Sequence, residues 1–322
     1  MHAVGVDIGG TKIAVGVVDD AGTIVAKTKR PTEPQRPESI DEAIADAVAE
    51  LAAEHEFGAI GLAAAGFVSA DRATVTFAPN IAWREYPLAA RVRALLTVDV
   101  PVVVENDANA AGWAEFEFGA GRDARSLALL TVGTGLGGAI VADGAMLRGA
   151  FGFAAEVGHI TMVPNGHACG CGHKGCWEQY SSGSALVREA RRAAAELPVR
   201  AAGLIDLAGG DPTKIKGPHV TQLAAEGDEL SVELLRELGE WIGKGCANLA
   251  SIIDPEIFIV GGGVVEAGEL VLAPARAAYE AALPALAVRP VAPIVAAHMG
   301  NDAGMVGAAA LARLAAAQGF SL

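Results

Sequence analysis

With 322 residues, 52% of them apolar and 19% charged, the chain has material for two ordinary cores and not the composition of a disordered protein. Its formal net charge of -14 argues against a broad nucleic-acid surface, although a few backbone N–H groups and one cation can still hold a polyanion locally. Four cysteines suit metal ligation or core packing better than a disulfide frame.

In chain order, three short strands are predicted at 3–8, 13–18 and 24–29, the second and third separated by the Asp20-Ala21-Gly22 turn. The start, Met1-His2-Ala3-Val4-Gly5-Val6-Asp7, has no basic cluster and no apolar leader, so a cytoplasmic location is expected. A proline-rich loop at 31–37 leads into a helix with Ile40, Ala43, Ala47, Val48 and Leu51 on one face. Strands follow at 59–64 and 101–104, with a helix at 87–96 between them and another at 107–118. Strands at 127–132 and 138–141 flank a glycine loop and echo the N-terminal strand–turn–strand pattern. Residues 126–141 are the most lipid-like stretch, yet too short and glycine-rich to span a bilayer. The second half reads as helical at 184–196 and 230–253, then a strand at 256–260 and an alanine-rich helix at 302–317.

Two glycine turns join strands. Asp7-Ile8-Gly9-Gly10-Thr11-Lys12 lets the backbone approach a phosphate, with Thr11 adding a hydroxyl and Asp7 able to hold Mg²⁺ directly or through water. Alone, such a segment is more often a plain hairpin. The run from Thr131 to Gly138, with Thr134 and Gly135 at its centre, has four glycines in six residues and makes a poor strand. Gly261-Gly262-Gly263 after a buried strand is a third place of close backbone approach. None fits a Walker or dinucleotide pattern, so the expectation is a nucleotide held by hairpin loops.

Cys169, Cys171 and Cys176 lie within eight residues of a polar glycine loop, a spacing that suits one tetrahedral zinc ion. Buried free thiols are common singly but rarely clustered in this way. His159, His167 and His173 compete for the fourth position, and four protein ligands would make the metal structural. Cys246, within a long helix, reads as core.

The Asp7–Lys12 segment, Glu105-Asn106-Asp107, Glu156-Val157-Gly158-His159 and the cysteine run with Glu178 two residues beyond it occur together in one order and spacing. By these motifs the chain resembles the ROK family (repressors, open reading frames and sugar kinases), from about residue 3 to about residue 310, and within it looks most like the bacterial glucokinases. The resemblance implies an α/β protein with the two-domain actin/hexokinase-like (ASKHA) fold and a cleft between the domains. It places a small domain at 1–118, with the C-terminal helix of about 303–322 packing back on it, and a large zinc-bearing domain at 119–302. It implies ATP with Mg²⁺ as phosphoryl donor, a structural Zn²⁺, and glucose as acceptor at its 6-hydroxyl.

Carried over residue by residue, the resemblance makes Asp107 the general base and Asn80, Asn106, Asp107, Glu156, His159 and Glu178 the sugar ligands. Asp7, Gly9, Gly10, Thr11, Lys12, Thr134, Gly135, Gly262 and Gly263 become the nucleotide-binding set, and His159 the zinc ligand beside Cys169, Cys171 and Cys176. Homodimers or homotetramers are implied, with no nucleic-acid or membrane partner. Fructose, mannose, N-acetylglucosamine and N-acetylmannosamine kinases share most of these motifs, and some relatives use polyphosphate, although those usually lack the cysteine cluster. Members that bind DNA carry a helix-turn-helix ahead of the first phosphate loop. Six residues precede Asp7 here, so an enzyme is expected rather than a repressor or a silent sugar sensor. One departure is Ala155, where members often carry Gly or Asn before Glu156.

Phosphoryl transfer rests on positioning and charge stabilisation. A carboxylate at Asp107, where a strand gives way to a helix, is favoured in its ionised form by the helix dipole; such a position also suits an N-cap, and the two roles are compatible. A zinc ion held on either side of Glu156 and Glu178 would lock both carboxylates. His159 can give one ring nitrogen to the metal and the other to sugar or carboxylate.

Overall fold

A computed structural model describes residues 1–319. The first sheet contains β1 (Ala3–Ile8), β2 (Lys12–Val18), β3 (Ile24–Pro31), β4 (Ile60–Ala64) and β8 (Val102–Asn106), in the order β3-β2-β1-β4-β8. β1 pairs antiparallel with β2 and parallel with β4, which pairs parallel with β8. β1, β2, β4 and β8 are near-continuous apolar runs because both faces are covered, whereas the edge strand β3 alternates half-buried and exposed residues. On one face α1 (Pro37–Ala52) contributes Ile40, Ile44 and Val48 to a cluster with Val4, Val6 and Ile8.

On the other face lies α9 (Ala303–Ala317), whose alanines make sense as a packing requirement. A Cβ at Gly5 would overlap the Met305 carbonyl, one at Gly61 the Ala308 carbonyl, and one at Gly307 the Ala110 carbonyl of α3 (Asp107–Glu117). Backbones this close exclude larger side chains. The helix expected to run to about 322 ends at Ala317, and residues 320–322 lie outside the described residues.

Between β4 and β8 sit three strands of two or three residues, β5 (Phe67–Val68), β6 (Val75–Phe77) and β7 (Arg84–Tyr86), and the helix α2 (Leu88–Leu95). The second five-stranded sheet uses β9 (Leu127–Val132), β10 (Leu136–Ala142), β11 (Ala145–Met146), β12 (Ile257–Gly261) and β13 (Ile294–Ala296) in the order β11-β10-β9-β12-β13. β9 pairs parallel with β12, and β12 with β13. A hairpin followed by two parallel neighbours thus occurs twice, as the repeated strand–turn–strand pattern implied. β10 begins at Leu136, so Gly137 and Gly138 belong to the strand; pairing in the sheet outweighs their low strand propensity. Only Gly133 to Gly135 form the turn.

The helices of the second half are α4 (Gly183–Glu196), α5 (Ala202–Leu207), α6 (Gly217–Ala225), α7 (Glu229–Ile253) and α8 (Glu269–Ala282). Asp228 caps α7 by accepting from the Ser231 N–H at 2.8 Å, and Asp254 at φ 42° ends it. A Cβ at Gly239 or Gly243 would overlap carbonyls of α8, so the two helices pack backbone to backbone. The chain divides into two compact units, one of Met1–Arg125, Ala139–Ala155 and the segment from His298, the other of Ser126–Gly138 and Glu156–Ala297. Among the described residues no helix is long and apolar enough to cross a membrane.

Candidate active site and metal centre

β8 delivers Asn106 and Asp107 to the start of α3. The cap is Asn106: its Oδ1 accepts from the Asn109 N–H at 3.0 Å, while its Nδ2 donates to the Gly66 carbonyl at 3.1 Å. Asp107 is therefore relieved of capping and is the first helical residue, with Oδ1 accepting the adjacent Ala108 N–H at 2.9 Å. Part of Asp107 reaches the surface. The protein packed around the carboxylate strips its hydration and, with the negative charge of Asp7 adding to the effect, pushes its pKa up to about 6; backbone N–H donation from Ala108 opposes this.

The Asp7–Lys12 turn is pinned by Gly9 N–H donating to the Lys12 carbonyl at 3.0 Å and by the Thr32 hydroxyl donating to the Gly9 carbonyl at 2.8 Å. Gly10, Thr11 and Lys12 are left exposed, as a phosphate turn requires. A Cβ on Gly10 would lie 4.0 Å from the Asn80 Cβ, so Asn80 stands beside this turn. Burial raises the pKa of Asp7, Lys12 lowers it and Asp302 raises it. Asp7 faces the start of α9, where a Cβ at Gly304 would come within 3.3 Å of its carboxylate. A partly dehydrated carboxylate with a second acid nearby fits a cation partner such as Mg²⁺. Asp302, paired with Lys27, and Gly304 were not singled out from sequence, because nearly 300 residues separate them from Asp7.

His159, Cys169, Cys171 and Cys176 bring their ligand atoms within 4.8 Å of one another. The Cys169 Sγ to His159 Nδ1 and the Cys171 Sγ to Cys176 Sγ distances are both 3.6 Å. A tetrahedral zinc with Zn–S bonds of about 2.3 Å needs edges of roughly 3.4–3.8 Å, so the four residues fit a structural zinc ion. Burial and hydrogen bonds from Cys171 and Cys169 push the Cys176 thiol up to about 12. A divalent ion reverses that tendency by taking the sulfurs as thiolates. Of the competing histidines, His167 instead lies against Tyr180, the tilted rings 5.3 Å apart, and His173 is exposed.

Glu178 links this centre to the second glycine turn. Its Oε1 lies 3.7 Å from Cys169 Sγ and its Oε2 accepts the Leu136 N–H at 3.2 Å. A Cβ at Gly135 would overlap Oε2, so Gly135 is required as space for the carboxylate. Because that clash meets the end of a side chain and not backbone, Gly135→Ala is expected to fold with a near-normal melting temperature. Glu156 precedes a single 3₁₀ turn, Val157–His159, closed by His159 N–H donating to the Glu156 carbonyl at 3.1 Å. Ala155, one residue earlier, sits at φ 68°, the left-handed conformation that Gly or Asn adopts with less strain.

Around Gly133 and Thr134 opens a cavity of about 710 Å³, of the size that takes a small organic ligand. Gly183 and Ser184 at the start of α4 donate their N–H groups to the Gly133 and Thr134 carbonyls at 2.7 and 3.2 Å, fixing the turn. Pro218 and Thr221 of α6 and Gly263, Val264 and Glu266 after β12 line other walls. Gly262 at φ 92° brings its backbone against Val132. Arg191 lines the cavity but donates to the Ile215 carbonyl, so it serves as wall. The α4 and α6 residues were not foreseen, since no local pattern marks them.

The ROK family model matches residues 3–315. The chain belongs to the ROK family. The matched range takes in every motif from the Asp7 turn to the cysteine run. The chain is 53% identical over 310 residues to the glucokinase of Streptomyces coelicolor, covering 96% of this chain and 97% of the relative. It is similar, with a TM-score of 0.87 and 51% identity, to a ROK family glucokinase from Streptomyces griseus crystallised with glucose and AMPPNP, covering 98% and 100% of the two chains. The ROK hexokinase of Thermus thermophilus follows with a TM-score of 0.81 and 33% identity, covering 99% and 100%. The mixed α/β architecture, two five-stranded sheets with a small third sheet of β5, β6 and β7, is accordingly that of the ROK sugar kinases, the actin/hexokinase-like fold.

Proposed function

We propose that the protein is an ATP-dependent glucokinase that converts glucose to glucose 6-phosphate. The observation that carries this is the Streptomyces griseus glucokinase, a structure holding glucose and a non-hydrolysable ATP analogue at 51% identity over nearly the whole chain. Asp107 is the general base, accepting the proton of the sugar 6-hydroxyl as that oxygen attacks the γ-phosphate. Because Asn106 caps α3, the Asp107 carboxylate is not needed to hold the start of the helix, which supports the assignment. Asn80, Asn106, Glu156, His159 and Glu178 are the sugar's further partners. With His159 Nδ1 on the zinc side, Nε2 is the nitrogen that faces the sugar.

The nucleotide occupies the cavity at Gly133 and Thr134, with Gly135, Gly262 and Gly263 at its phosphate end, and phosphate binding is also the role proposed for the exposed Gly9–Lys12 turn. Mg²⁺ would be held by Asp7, directly or through water, and neutralises phosphate charge when bound. Zinc takes no part in the transfer. Assembly as a homodimer or homotetramer and a cytoplasmic location complete the reading.

A base must be ionised, so kcat/KM for glucose should fall about tenfold per pH unit below pH 6 and level off above it. The stability sign is opposite to that of a salt-bridged acid. The folded pKa lies above the ordinary 3.8, so this group favours folding below pH 3.8 and loses that contribution as pH rises through about 6. Asp107→Asn should therefore be more stable than the native protein at pH 7 by thermal melting. The function itself is tested by ADP release with a panel of hexoses against ATP and polyphosphate. Glucose with ATP should give the highest kcat/KM, whereas a preference for an N-acetylhexosamine or polyphosphate, or no turnover with any sugar, would overturn the proposal.

A further inference from the structure

Glu105 precedes Asn106 and Asp107 on β8 and is only 3% exposed. Its Oε2 accepts from Arg148 Nε at 2.8 Å and Nη2 at 2.7 Å, with Arg72 Nε at 3.5 Å. Its Oε1 accepts from Asn109 Nδ2 at 3.1 Å and from the Asn106 N–H at 3.3 Å. One carboxylate thus grips the turn from within, at 106 and 109, while a guanidinium from a distant segment grips the carboxylate.

That segment, residues 147–155, is itself clamped. Ala154 N–H donates to the Arg148 carbonyl at 3.0 Å, a Cβ at Gly152 would overlap the Val68 carbonyl, and Phe153 meets the Phe67 ring edge-on at 5.4 Å. The residue after it is Glu156. A buried ion pair is weak support for stability, because well-packed apolar side chains of the same volume serve the fold as well or better. A geometric requirement accounts for it directly.

We propose that Glu105 and Arg148 are positioning residues for phosphoryl transfer: the pair fixes the orientation of the Asn106–Asp107 turn against the 147–155 segment. The proposal rests on Asp107 being the base. A misplacement of the base acts on the chemical step and not on nucleotide binding, so the effect belongs in kcat.

The experiment is steady-state kinetics and melting of Glu105→Gln, Arg148→Gln, their double variant and Arg148→Lys, with Asp107→Asn alongside. Glu105→Gln leaves two guanidinium groups facing a neutral amide and can fold poorly. Arg148→Gln, at a partly exposed position and leaving Glu105 its Asn109 and Arg72 partners, carries the test in that event. Expected is a fall in kcat of about 10- to 100-fold in each single variant with the KM for ATP within about twofold. The double variant should be no slower than the slower single one, and Arg148→Lys should recover part of the loss. Single variants within twofold of native kcat, or losses that follow the folded fraction, would overturn the inference. If Asp107→Asn is inactive while Arg148→Gln is normal, the pair's role alone falls; if Asp107→Asn turns over normally, the base assignment falls first.

Discussion

Asp107→Ala is expected to lower kcat for glucose phosphorylation by about 10²–10⁴-fold, the range that a positioned acid or base supplies. The glucose dissociation constant, measured by calorimetry, should rise by less than about tenfold, since one hydrogen bond among several is lost. The fold should survive the change. Asn106 caps α3, so the helix does not depend on the Asp107 side chain. Removal of a carboxylate whose ionisation burial disfavours also relieves the folded state at neutral pH. Native-like kcat in this variant would remove Asp107 as the base.

Cys171→Ser has the second largest expected effect. Elemental analysis should show zinc content falling from one ion per chain to well below half, because three remaining ligands hold the metal less tightly. Stability should fall by about 3–5 kcal/mol, or roughly 10 °C in melting temperature, as binding energy for a structural ion is folding energy. The informative readout is the sugar. Glu178 lies against Cys169 Sγ and also receives the Leu136 N–H, so loosening the centre frees a carboxylate shared with the Gly135 turn. Glucose KM should rise about tenfold or more in the variant that remains folded at low temperature. Full zinc content would mean a different ligand set, and an unchanged glucose KM would make the ion a staple for folding only.

Much of this site is visible in the sequence because its signals are local. The Asp7–Lys12 turn lies between two buried strands, and the Cys169–Cys176 run shows its metal spacing within eight residues. The residues themselves left three histidines open; geometry separates them, because only His159 has a ring nitrogen among the sulfurs. The relation of Glu178 to Gly135 lies beyond sequence reading, since 43 positions separate the two and only the packing of β10 beside the zinc loop joins them. Spacing likewise left Asp107 equally placed as cap or base, and the hydrogen bond from Asn109 to Asn106 gives the cap to Asn106.

Two physical reasons account for elements that escaped prediction. β5, β6 and β7 are too short for a two-residue alternation to register, and α8 carries Pro274 in its interior. α9 was legible as alanine-rich, but its small residues acquire a cause only when Gly5 and Gly61 are seen to lie against its backbone and its own Gly307 against that of α3.

The most direct test of the whole account is the product formed from ATP and glucose labelled with ¹³C at carbon 6, followed by NMR. One phosphorylated sugar is expected, with carbon 6 split by phosphorus, formed in step with ADP by the native protein and not by Asp107→Ala. Phosphate on another carbon, or ADP released without any phosphorylated sugar, would contradict it.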